Sequence, residues 1–255
     1  MSISFFIITK NEEKNIAQCI ESFKSISDEI IIVDSMSDDR TVEIAKKYTD
    51  RIFTKEFDGY SEQKNFALSK CSNEWVFSID ADERLTEALK EEIIICTTTD
   101  TSFNGYTVPR KNIVLDKWIR GGGMYPDRTI RLFKKSFGRF QDRRVHEIVH
   151  IEGKLSHLGN PLIHYTCYSL SEFFYRQCHY AKLSAMEMSN NGKYFTHTSI
   201  IFKPVFDFLR YYIFRRGFID GWRGFILAIF YMYYTFLKYA YLWEIEKDMR
   251  VQGDL

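Results

Sequence analysis

WVFSIDADE, at residues 75–83, decides how the rest of the chain is interpreted. An apolar run of strand length ends there in Asp80-x-Asp82, with a third carboxylate at Glu83. Strand alternation predicts that Asp80 and Asp82 point to the same side of the chain at the C-terminal end of a strand. Carboxylates about 6–7 Å apart repel each other unless a cation lies near both of them.

A divalent cation that also binds a diphosphate would meet that requirement. Mg²⁺ and Mn²⁺ prefer one or two carboxylates plus phosphate oxygens. The alternative is an ordinary strand followed by a helix over residues 86–92, with Asp82 as its N-cap. A pattern this short leaves both interpretations open, so other stretches of the chain must discriminate between them.

The composition limits the class of protein. The 255 residues suffice for one large domain, or for one domain with an appendage. The net charge of +1 gives no general case for nucleic-acid binding. Five cysteines without a Cys-x-x-Cys pair disfavour a disulfide framework or a structural zinc and favour the cytosol. Met1–Ile8 lacks the basic start of a signal peptide, and we interpret it as part of a first strand.

The first part of the chain alternates between strand and helix patterns. Ile3–Thr9 is a continuous apolar run, which is typical of a strand buried on both faces. Four such strands with three intervening helices indicate parallel βαβ units and predict the α/β class, with a doubly wound, mainly parallel sheet. The predicted strands are Ile3–Thr9, Glu29–Val33, Arg51–Thr54 and Trp75–Ile79, and the predicted helices are one opened by Asn11–Glu13, Thr41–Tyr48 and Tyr60–Lys70.

The pattern changes after the fourth strand, although no linker separates the parts. We predict one domain up to about residue 190, with a Gly-rich stretch at Gly121–Gly123 between two of its strands. The further predicted elements are a helix at Glu87–Cys96, strands at Gly105–Leu115 and Thr129–Lys134, irregular segments at Arg139–Ile151 and Leu155–His164, and a helix at Ser169–Ser189.

Residues 191–255 differ in composition and are predicted to form a helical extension. Lys193–Trp243 carries seven basic and two acidic side chains, a net charge of +5. Phe225–Trp243 has one charged residue and five tyrosines, and tyrosine prefers the headgroup zone of a membrane. This combination favours an interfacial membrane anchor over residues 193–243 rather than a membrane span. The alternative is a helical hairpin that packs on the preceding domain or forms a homo-oligomer interface.

Four polar stretches are predicted to meet at one edge of the sheet, because the carboxyl ends of parallel strands share an edge. Thr9–Glu12 follows the first strand, and Asp34–Asp38 follows the second. Gln63–Asn65 lies on the helix before the fourth strand, and Asp80–Asp82 ends that strand.

On these stretches the sequence resembles glycosyltransferase family two, the inverting enzymes of the GT-A fold that use nucleotide-diphospho-sugars. The matching segments are Ile7–Glu12, Ile32–Thr41, Gln63–Asn65 and Asp80–Asp82, in the same order and spacing. The resemblance implies a nucleotide-binding half at residues 1–95 and an acceptor-side half at 96–190.

The resemblance also implies roles for individual residues and a cofactor. Thr9, Glu12 and Asp34 would contact the uracil and ribose end of a UDP-sugar donor, and Asn11 would also bind the donor. Lys64 would lie near the nucleotide, Asp80 would be shared between ribose and metal, and Asp82 would bind the metal. The metal would be Mg²⁺ or Mn²⁺.

The second half resembles a narrower branch, the enzymes that add a sugar to the inner core of bacterial lipopolysaccharide. The carrying segments are Gly122–Arg128, Arg131–Phe133, Val145–Glu147 and Gly217–Phe225. Known members include β-1,4-glucosyltransferases that act on heptose. This implies a lipid-linked saccharide acceptor and a peripheral protein on the cytoplasmic face of the inner membrane. The Gln-x-x-Arg-Trp signature of processive synthases is absent, which favours a single transfer of a hexose, with glucose as the expected sugar.

Inverting transfer needs a general base for the acceptor hydroxyl. We favour Glu147, because arginines at 139, 143 and 144 would keep its carboxylate ionised; the alternative is a structural Glu–Arg pair. Asp127 is the second candidate, since a residue on the Gly-rich loop would gain mobility. That loop is itself expected to act as a lid.

Two further interpretations concern basic side chains. Arg128 and Arg131 would clamp the diphosphate or an anionic acceptor, and the alternative is that they are ordinary exposed arginines. His164 could complete the metal shell, but a lone histidine is more often a hydrogen-bonded core residue, and we leave it out of the predicted metal ligands.

Two other functions are alternatives to that of a glycosyltransferase. A nucleotidyltransferase needs a Gly-rich phosphate-binding loop after the first strand, where this chain has Thr9–Glu13. A nucleotide-sugar binding or assembly module without transferase activity is the other alternative. Retention of both Asp80 and Asp82 argues against it, because buried charge is costly without a metal.

Overall fold

The computed structural model describes residues 2–99, 102–141 and 148–253. The chain divides into two compact units. Unit 1 comprises Met1–Lys111 and Asp127–Tyr165, and unit 2 comprises Asn112–Pro126 and Thr166–Leu255. The helix predicted at Ser169–Ser189 therefore groups with the C-terminal helices, whereas the sequence placed a boundary at residue 190.

Unit 1 is built on a mixed sheet with helices packed on it, which confirms the predicted α/β class. Its strands, two of which run on into unit 2, are β1 (Ile3–Thr9), β2 (Glu29–Asp34), β3 (Ile52–Thr54), β4 (Trp75–Ser78), β5 (Glu83–Arg84) and β6 (Phe103–Val114). After the short β7 (Lys117–Trp118) of unit 2 come β8 (Asp127–Lys134), β9 (Gly138–Gln141), β10 (Ile148–Ile151), β11 (Lys154–His157) and β12 (Leu162–Cys167). The helices of unit 1 are α1 (Ile16–Phe23), α2 (Thr41–Ala45), α3 (Tyr60–Lys70) and α4 (Glu87–Thr98).

The strand order is β3-β2-β1-β4-β8-β6-β12-β5. β1 pairs in parallel with β2 and β4, and β2 pairs in parallel with β3. β8 then pairs antiparallel with both β4 and β6, which is the change of pattern seen in the sequence. β9 and β10 form a separate two-stranded sheet.

The apolar run of β1 is buried on both faces, as its composition predicts. Phe5 stacks on Phe23 of α1 with ring centroids 4.4 Å apart. Phe6 faces the other way, into a cluster with Ala67 of α3 and Phe133 of β8. Each buried aromatic ring contributes roughly 1.5–3 kcal/mol through burial of its apolar surface. The two layers of helix fix the position of β1 and of the loop that follows it.

The order of strands reverses between β1 and β4. From β1 the chain moves to β2 and β3 on one side, then returns to place β4 on the other side of β1. Ligands of open α/β sheets bind in the crevice at the carboxyl ends of such a pair. Thr9 ends β1, and Asp80 lies two residues beyond β4, so these two predicted stretches flank the crevice.

One predicted helix start and one alternative for a helix cap were wrong, each for a local reason. α1 begins at Ile16, because Asn11 has a left-handed φ of 56° and the chain turns before the helix can start. Thr86 is the N-cap of α4 and accepts from the Leu89 amide at 3.3 Å. The alternative that Asp82 caps this helix is therefore wrong.

Unit 2 is predominantly helical. It contains α5 (Leu170–Asn190), α6 (His197–Leu209) and α7 (Trp222–Gly253), with a π-helical turn at Arg210–Phe214 and a 3-10 turn at Gly217–Asp220 between α6 and α7. Within α7, Trp222–Met249 is long and apolar enough to cross a membrane, with a mean hydropathy of 1.3. The predicted C-terminal helical extension is confirmed.

The Gly-rich stretch has a structural reason within unit 2. Asp220 is buried and accepts the backbone N–H groups of Arg120 and Gly121, the latter at 2.7 Å. A Cβ on Gly121 would lie 2.2 Å from the carbonyl oxygen of Arg216. Close backbone approach therefore explains glycine here, and the expected lid movement stays a prediction.

Candidate functional site

The site begins in the turn that follows β4. β4 ends at Ser78, and the Glu83 amide donates to the Asp80 carbonyl at 2.9 Å, which closes a turn. The prediction of strand alternation across Asp80 and Asp82 was therefore wrong. The two carboxylates take different partners in the described part of the chain.

Asp80 is held by two basic side chains of the protein. Its Oδ2 accepts from the Arg131 guanidinium of β8 at 2.5 Å, and its Oδ1 lies 3.2 Å from Lys64 Nζ of α3. Arg131 also donates to Glu83, and the Asp80 amide donates to Glu83 at 3.0 Å. The side chains of Arg131 and Glu83 are 5% and 0% exposed. The cation that the sequence demanded near these carboxylates is thus supplied in part by the chain itself.

Burial and charge act in opposite directions on these groups. Burial alone would raise the pKa of Asp80, but the positive charges of Arg131 and Lys64 outweigh it and hold that pKa well below its usual range. For Glu83 burial dominates and raises the pKa, with Arg131 opposing and Asp80 adding to the rise. Burial would lower the pKa of Arg131, yet the two carboxylates raise it. The guanidinium is a permanent charge at the centre of the network.

Asp82 has a separate partner, His164 of β12. Asp82 Oδ2 lies 3.3 Å from His164 Nε2, and the two side chains are 25% and 15% exposed. Glu12 lies near enough for Asp82 to add to the rise in its pKa, which burial chiefly causes. An anionic oxygen and an imidazole nitrogen side by side suit a divalent cation.

Asp82 and His164 alone would leave most coordination positions of a divalent cation to other ligands. Among residues 2–99, 102–141 and 148–253, no group of three or more His, Cys, Asp or Glu side chains gathers around one point. A cation at Asp82 and His164 would therefore complete its shell with phosphate oxygens and water, as Mg²⁺ usually does. A role for Asp80 as a direct metal ligand stays a prediction, since two basic side chains already contact its carboxylate.

The loops after β1 and β2 are fastened to each other. The Asn11 amide donates to Ser37 Oγ at 2.8 Å, and Asn11 Oδ1 accepts from the Asp38 amide at 3.0 Å. Asp34 is buried and accepts from the amide and hydroxyl of Ser37. The buried Thr9 hydroxyl has no hydrogen-bond partner in the described structure. An unpaired buried hydroxyl at the crevice is available to a ligand.

Gln63, Lys64 and Asn65 of α3 each contact a different part of unit 1. Gln63 donates to Ser35 Oγ at 2.7 Å, which supports the loop after β2. Asn65 both donates to and accepts from the backbone of Phe140, which anchors β9. Lys64, between them, is directed to Asp80. The sequence predicted this stretch as part of the site, and only Lys64 contacts a predicted site carboxylate in the described structure.

A cavity of about 400 Å³ adjoins Asp80 within unit 1. Its lining includes Lys64, Arg110, Arg128 and Arg131 together with Thr129 and Phe140. Three buried atoms of these residues lack a hydrogen-bond partner in the described structure, namely Arg110 Nε, Thr129 Oγ1 and Arg131 Nε. Four basic side chains around one cavity favour an anionic or polyhydroxylated ligand.

The two predicted arginines differ in environment. Arg128 is exposed and donates to the Leu158 carbonyl at 2.8 Å. Arg131 is buried, so the alternative of an ordinary exposed arginine is wrong for that residue. That Arg131 clamps a diphosphate stays a prediction, because its guanidinium already donates to the carboxylates of Asp80 and Glu83.

Of the two candidate bases, the structure describes Asp127 but not Glu147. Asp127 is the first residue of β8 and lies 2.5 Å from Arg110 Nη2, so the expectation that it sits on a mobile glycine loop was wrong. Glu147, with Arg143, Arg144 and His146, lies outside the described residues. Sequence reasoning missed Arg110 and the pairing of Glu83 with Arg131. The signal for the latter was the presence of three carboxylates in four residues, which require more than one cation.

Comparison with known proteins places the chain among glycosyltransferases. A model of the family described as "Glycosyl transferase family 2" matches residues 4–153. An uncharacterised glycosyltransferase of Rickettsia typhi is 33% identical, over 97% of this chain and 89% of the relative. The lipopolysaccharide core biosynthesis glycosyltransferase LpsC of Rhizobium meliloti is also 33% identical, over 96% of this chain and 93% of the relative.

Solved structures show a weaker likeness. Glucosyl-3-phosphoglycerate synthase from Mycobacterium tuberculosis, solved with Mn²⁺ and UDP-glucose, is 22% identical with a TM-score of 0.38 and covers 43% of each chain. The resemblance inferred from the sequence motifs is confirmed by the family model and the full-length relatives.

Replacement of Arg131 by Met should destabilise the fold by about 3–5 kcal/mol, because Asp80 and Glu83 would be left without their shared cation. The loss should be larger at about pH 7 than at about pH 5. Without the cation, burial raises both folded pKa values, and stability then falls as rising pH ionises the carboxyls. Urea unfolding of the full chain at both pH values measures this.

Two variants control that experiment. Arg128→Met changes an exposed arginine of the same strand and should shift stability by less than about 1 kcal/mol. Adding Glu83→Gln to Arg131→Met removes one of the stranded charges and should recover part of the loss. Equal effects of the Arg131 and Arg128 changes would contradict the structural role of the network.

Proposed function

The chain belongs to glycosyltransferase family 2, and we propose that it transfers a hexose from a UDP-sugar to a lipid-linked saccharide. The proposed hexose is glucose. The acceptor is an inner-core heptose of lipopolysaccharide, and the reaction is a single transfer with inversion. The observation that carries the proposal is the Asp82–His164 pair, in which Asp82 lies after β4, where the strand order reverses, and His164 lies on β12. Similarity to LpsC over nearly the full length supports the class of acceptor.

Asp82 and His164 would hold Mg²⁺ or Mn²⁺, which would supply Lewis-acid stabilisation of negative charge on a diphosphate. The chain's own residues bind and orient the donor. Thr9 and Asp34 end β1 and β2, Asn11 and Glu12 lie on the loop after β1, and these four residues contact the uracil and ribose. Asp80, kept ionised by Lys64 and Arg131, accepts hydrogen bonds from ribose hydroxyls.

The cavity beside Asp80 accommodates the reacting sugars. Its polar lining of arginines and Thr129 suits hydroxyl groups and the charge that develops on the diphosphate. Arg128 is the exposed arginine of this set and binds an anionic acceptor in this proposal, while Arg131 holds Asp80 and Glu83 in place. This division refines the predicted pair of clamping arginines into one acceptor-binding and one structural residue.

Asp82→Ala and His164→Ala should each abolish Mn²⁺-dependent protection of the protein by UDP while leaving the fold intact. Loss of metal-assisted charge stabilisation should lower transfer about 100-fold or more. Thermal unfolding with UDP, in Mn²⁺ or in EDTA, measures binding independently of turnover. His150→Ala removes an exposed histidine of β10 and serves as the control. Normal metal-dependent protection in the Asp82 variant would contradict the assignment.

The general base of the transfer is proposed to be Glu147. Val149, two residues further along the chain, lines the cavity beside Asp80, and the Val145–Glu147 segment carries the resemblance to the lipopolysaccharide branch. Asp127 is the second candidate, and its carboxylate is bound to Arg110. A base must accept a proton from the acceptor hydroxyl, which an arginine-bound carboxylate does less readily.

Glu147→Gln should lower kcat by about 10²–10⁴-fold, because the amide cannot accept the proton. Protection by UDP and Mn²⁺ should be unchanged, since the base does not hold the nucleotide. Asp127→Asn is the matched comparison and should lose less activity. Unaltered turnover in Glu147→Gln together with loss in Asp127→Asn would move the base to Asp127. Release of UDP only when acceptor is present distinguishes a transferase from a binding module.

Unit 2 is proposed to hold the protein on the cytoplasmic face of the inner membrane. Five large apolar side chains of α6 are exposed along one stripe at helical spacing, namely Ile201, Phe202, Val205, Phe206 and Leu209. Arg210, Arg215 and Arg216 follow directly in the sequence and are exposed. An apolar stripe beside arginines fits an anionic lipid surface, and this supports the interfacial anchor.

Phe202→Ser with Phe206→Ser should reduce binding to vesicles of phosphatidylcholine and phosphatidylglycerol by at least about tenfold. Each phenylalanine that leaves water contributes roughly 1.5–3 kcal/mol. Co-sedimentation with the vesicles measures the effect, and Phe137→Ser, at an exposed ring of unit 1, is the control. If vesicle binding persists while a dimer dissociates in sedimentation, the stripe is a subunit interface instead.

A further inference from the structure

A second cavity lies entirely within unit 2, at the C-terminal end of α5, the start of α6 and the middle of α7. Its volume is about 650 Å³, and every lining residue belongs to residues 184–239. A cavity of this size holds more than a simple ion, since ligand pockets span roughly 300–1,000 Å³. The charged and hydroxyl side chains of its lining include Glu187, Lys193, Ser199, Lys203, Lys238 and Tyr239.

Three lysines and one glutamate line this cavity, so its charge is positive. None of Lys193, Lys203 and Lys238 forms an ion pair with a carboxylate within the described ranges 2–99, 102–141 and 148–253. Ammonium groups brought together without counter-charge repel each other, and an anion between them relieves that repulsion.

Two of the lysines converge on one tyrosine. Lys203 Nζ donates to Tyr239 Oη at 2.7 Å and lies 4.6 Å from the centre of its ring. Lys238 Nζ lies 5.5 Å from the centre of the same ring. Tyr239 is 6% exposed, so packing fixes the ring that both lysines approach. Cation–π attraction holds the lysines in place without neutralising them.

The Tyr239 hydroxyl adds a hydrogen-bond donor to the cavity. Because Tyr239 Oη accepts from Lys203, its own proton is available to donate to an anion. The hydroxyls of Thr196 and Ser199 also line the cavity, but they donate within the capping box of α6, so this helix end adds only the partial positive charge of its dipole. Lysine ammonium groups with a hydroxyl donor suit a phosphate group.

We propose that this cavity binds a phosphate group carried by a larger molecule, and that the molecule is the lipid-linked acceptor. The inference rests on the proposed function for the identity of the acceptor, but the phosphate chemistry stands on the cavity alone. The same chemistry would bind a soluble phosphate or diphosphate, and the two sources are separated by experiment.

The test compares the full-length protein with two double variants. Lys203→Gln/Lys238→Gln removes the two cations that converge on Tyr239. Lys182→Gln/Lys247→Gln removes two exposed lysines of α5 and α7 that do not line the cavity and is the matched control. Probes are inorganic pyrophosphate in solution, read as protection against thermal unfolding, and phosphatidylcholine vesicles with and without phosphatidic acid, read by co-sedimentation.

The expected result is weaker binding by about fivefold for each cavity lysine removed, with the control close to wild type. Loss confined to phosphatidic acid vesicles assigns the site to a lipid headgroup, and loss confined to pyrophosphate assigns it to a soluble phosphate compound. Glu187→Gln should tighten binding, because it removes the one negative charge of the lining. Equal binding by the two double variants with both probes overturns the proposal.

The donor site provides a separate readout on the same samples. Protection by UDP and Mn²⁺ should be the same in wild type and in both double variants, since Asp82 and His164 are unchanged. Absence of that protection in the wild-type protein would contradict the proposed function and leave the result for the lysine cavity unaffected. The two proposals therefore fail by different measurements.

Discussion

The buried guanidinium of Arg131 is the constraint on which the candidate site depends. It joins β8, an antiparallel strand, to the turn after β4, the last strand of the parallel set, by donating to Asp80 and Glu83. A buried ion network of this kind adds little to net stability relative to an apolar core, but removal of one member is costly. Its effect is to keep one carboxylate charged and fixed at the point where the strand order reverses.

Much of the fold could be predicted from the chain because its signals are local. The apolar run of β1 and the alternation of strand and helix patterns up to β4 are sufficient to predict the parallel half of the sheet. Side-chain pairing across distant strands is not local: nothing near Asp80 in sequence indicates that Arg131, 51 residues away, lies against it. The wrong expectation for Asp127 has the same origin, because Arg110 of β6 positions it through strand pairing.

The sequence indicated several residues that lie at the candidate site, but it did not indicate which side chains contact each other. Asp82 was predicted as a metal ligand and His164 was left out of the predicted ligands, because their proximity depends on the antiparallel return of β12 beside β5. The role assigned to Gly121 followed from the flexibility of glycine, whereas the structure shows a tight backbone approach and a buried carboxylate at Asp220. Composition indicates which residue types meet, but topology decides which atoms touch.

The separation of Asp80 from Asp82 has a consequence for the affinity of a metal ion. A divalent cation held by only one carboxylate and one imidazole would be retained weakly by the free protein. A nucleoside diphosphate would strengthen its retention, and the cation would strengthen nucleotide binding by the same factor, since coupling between two ligands is reciprocal.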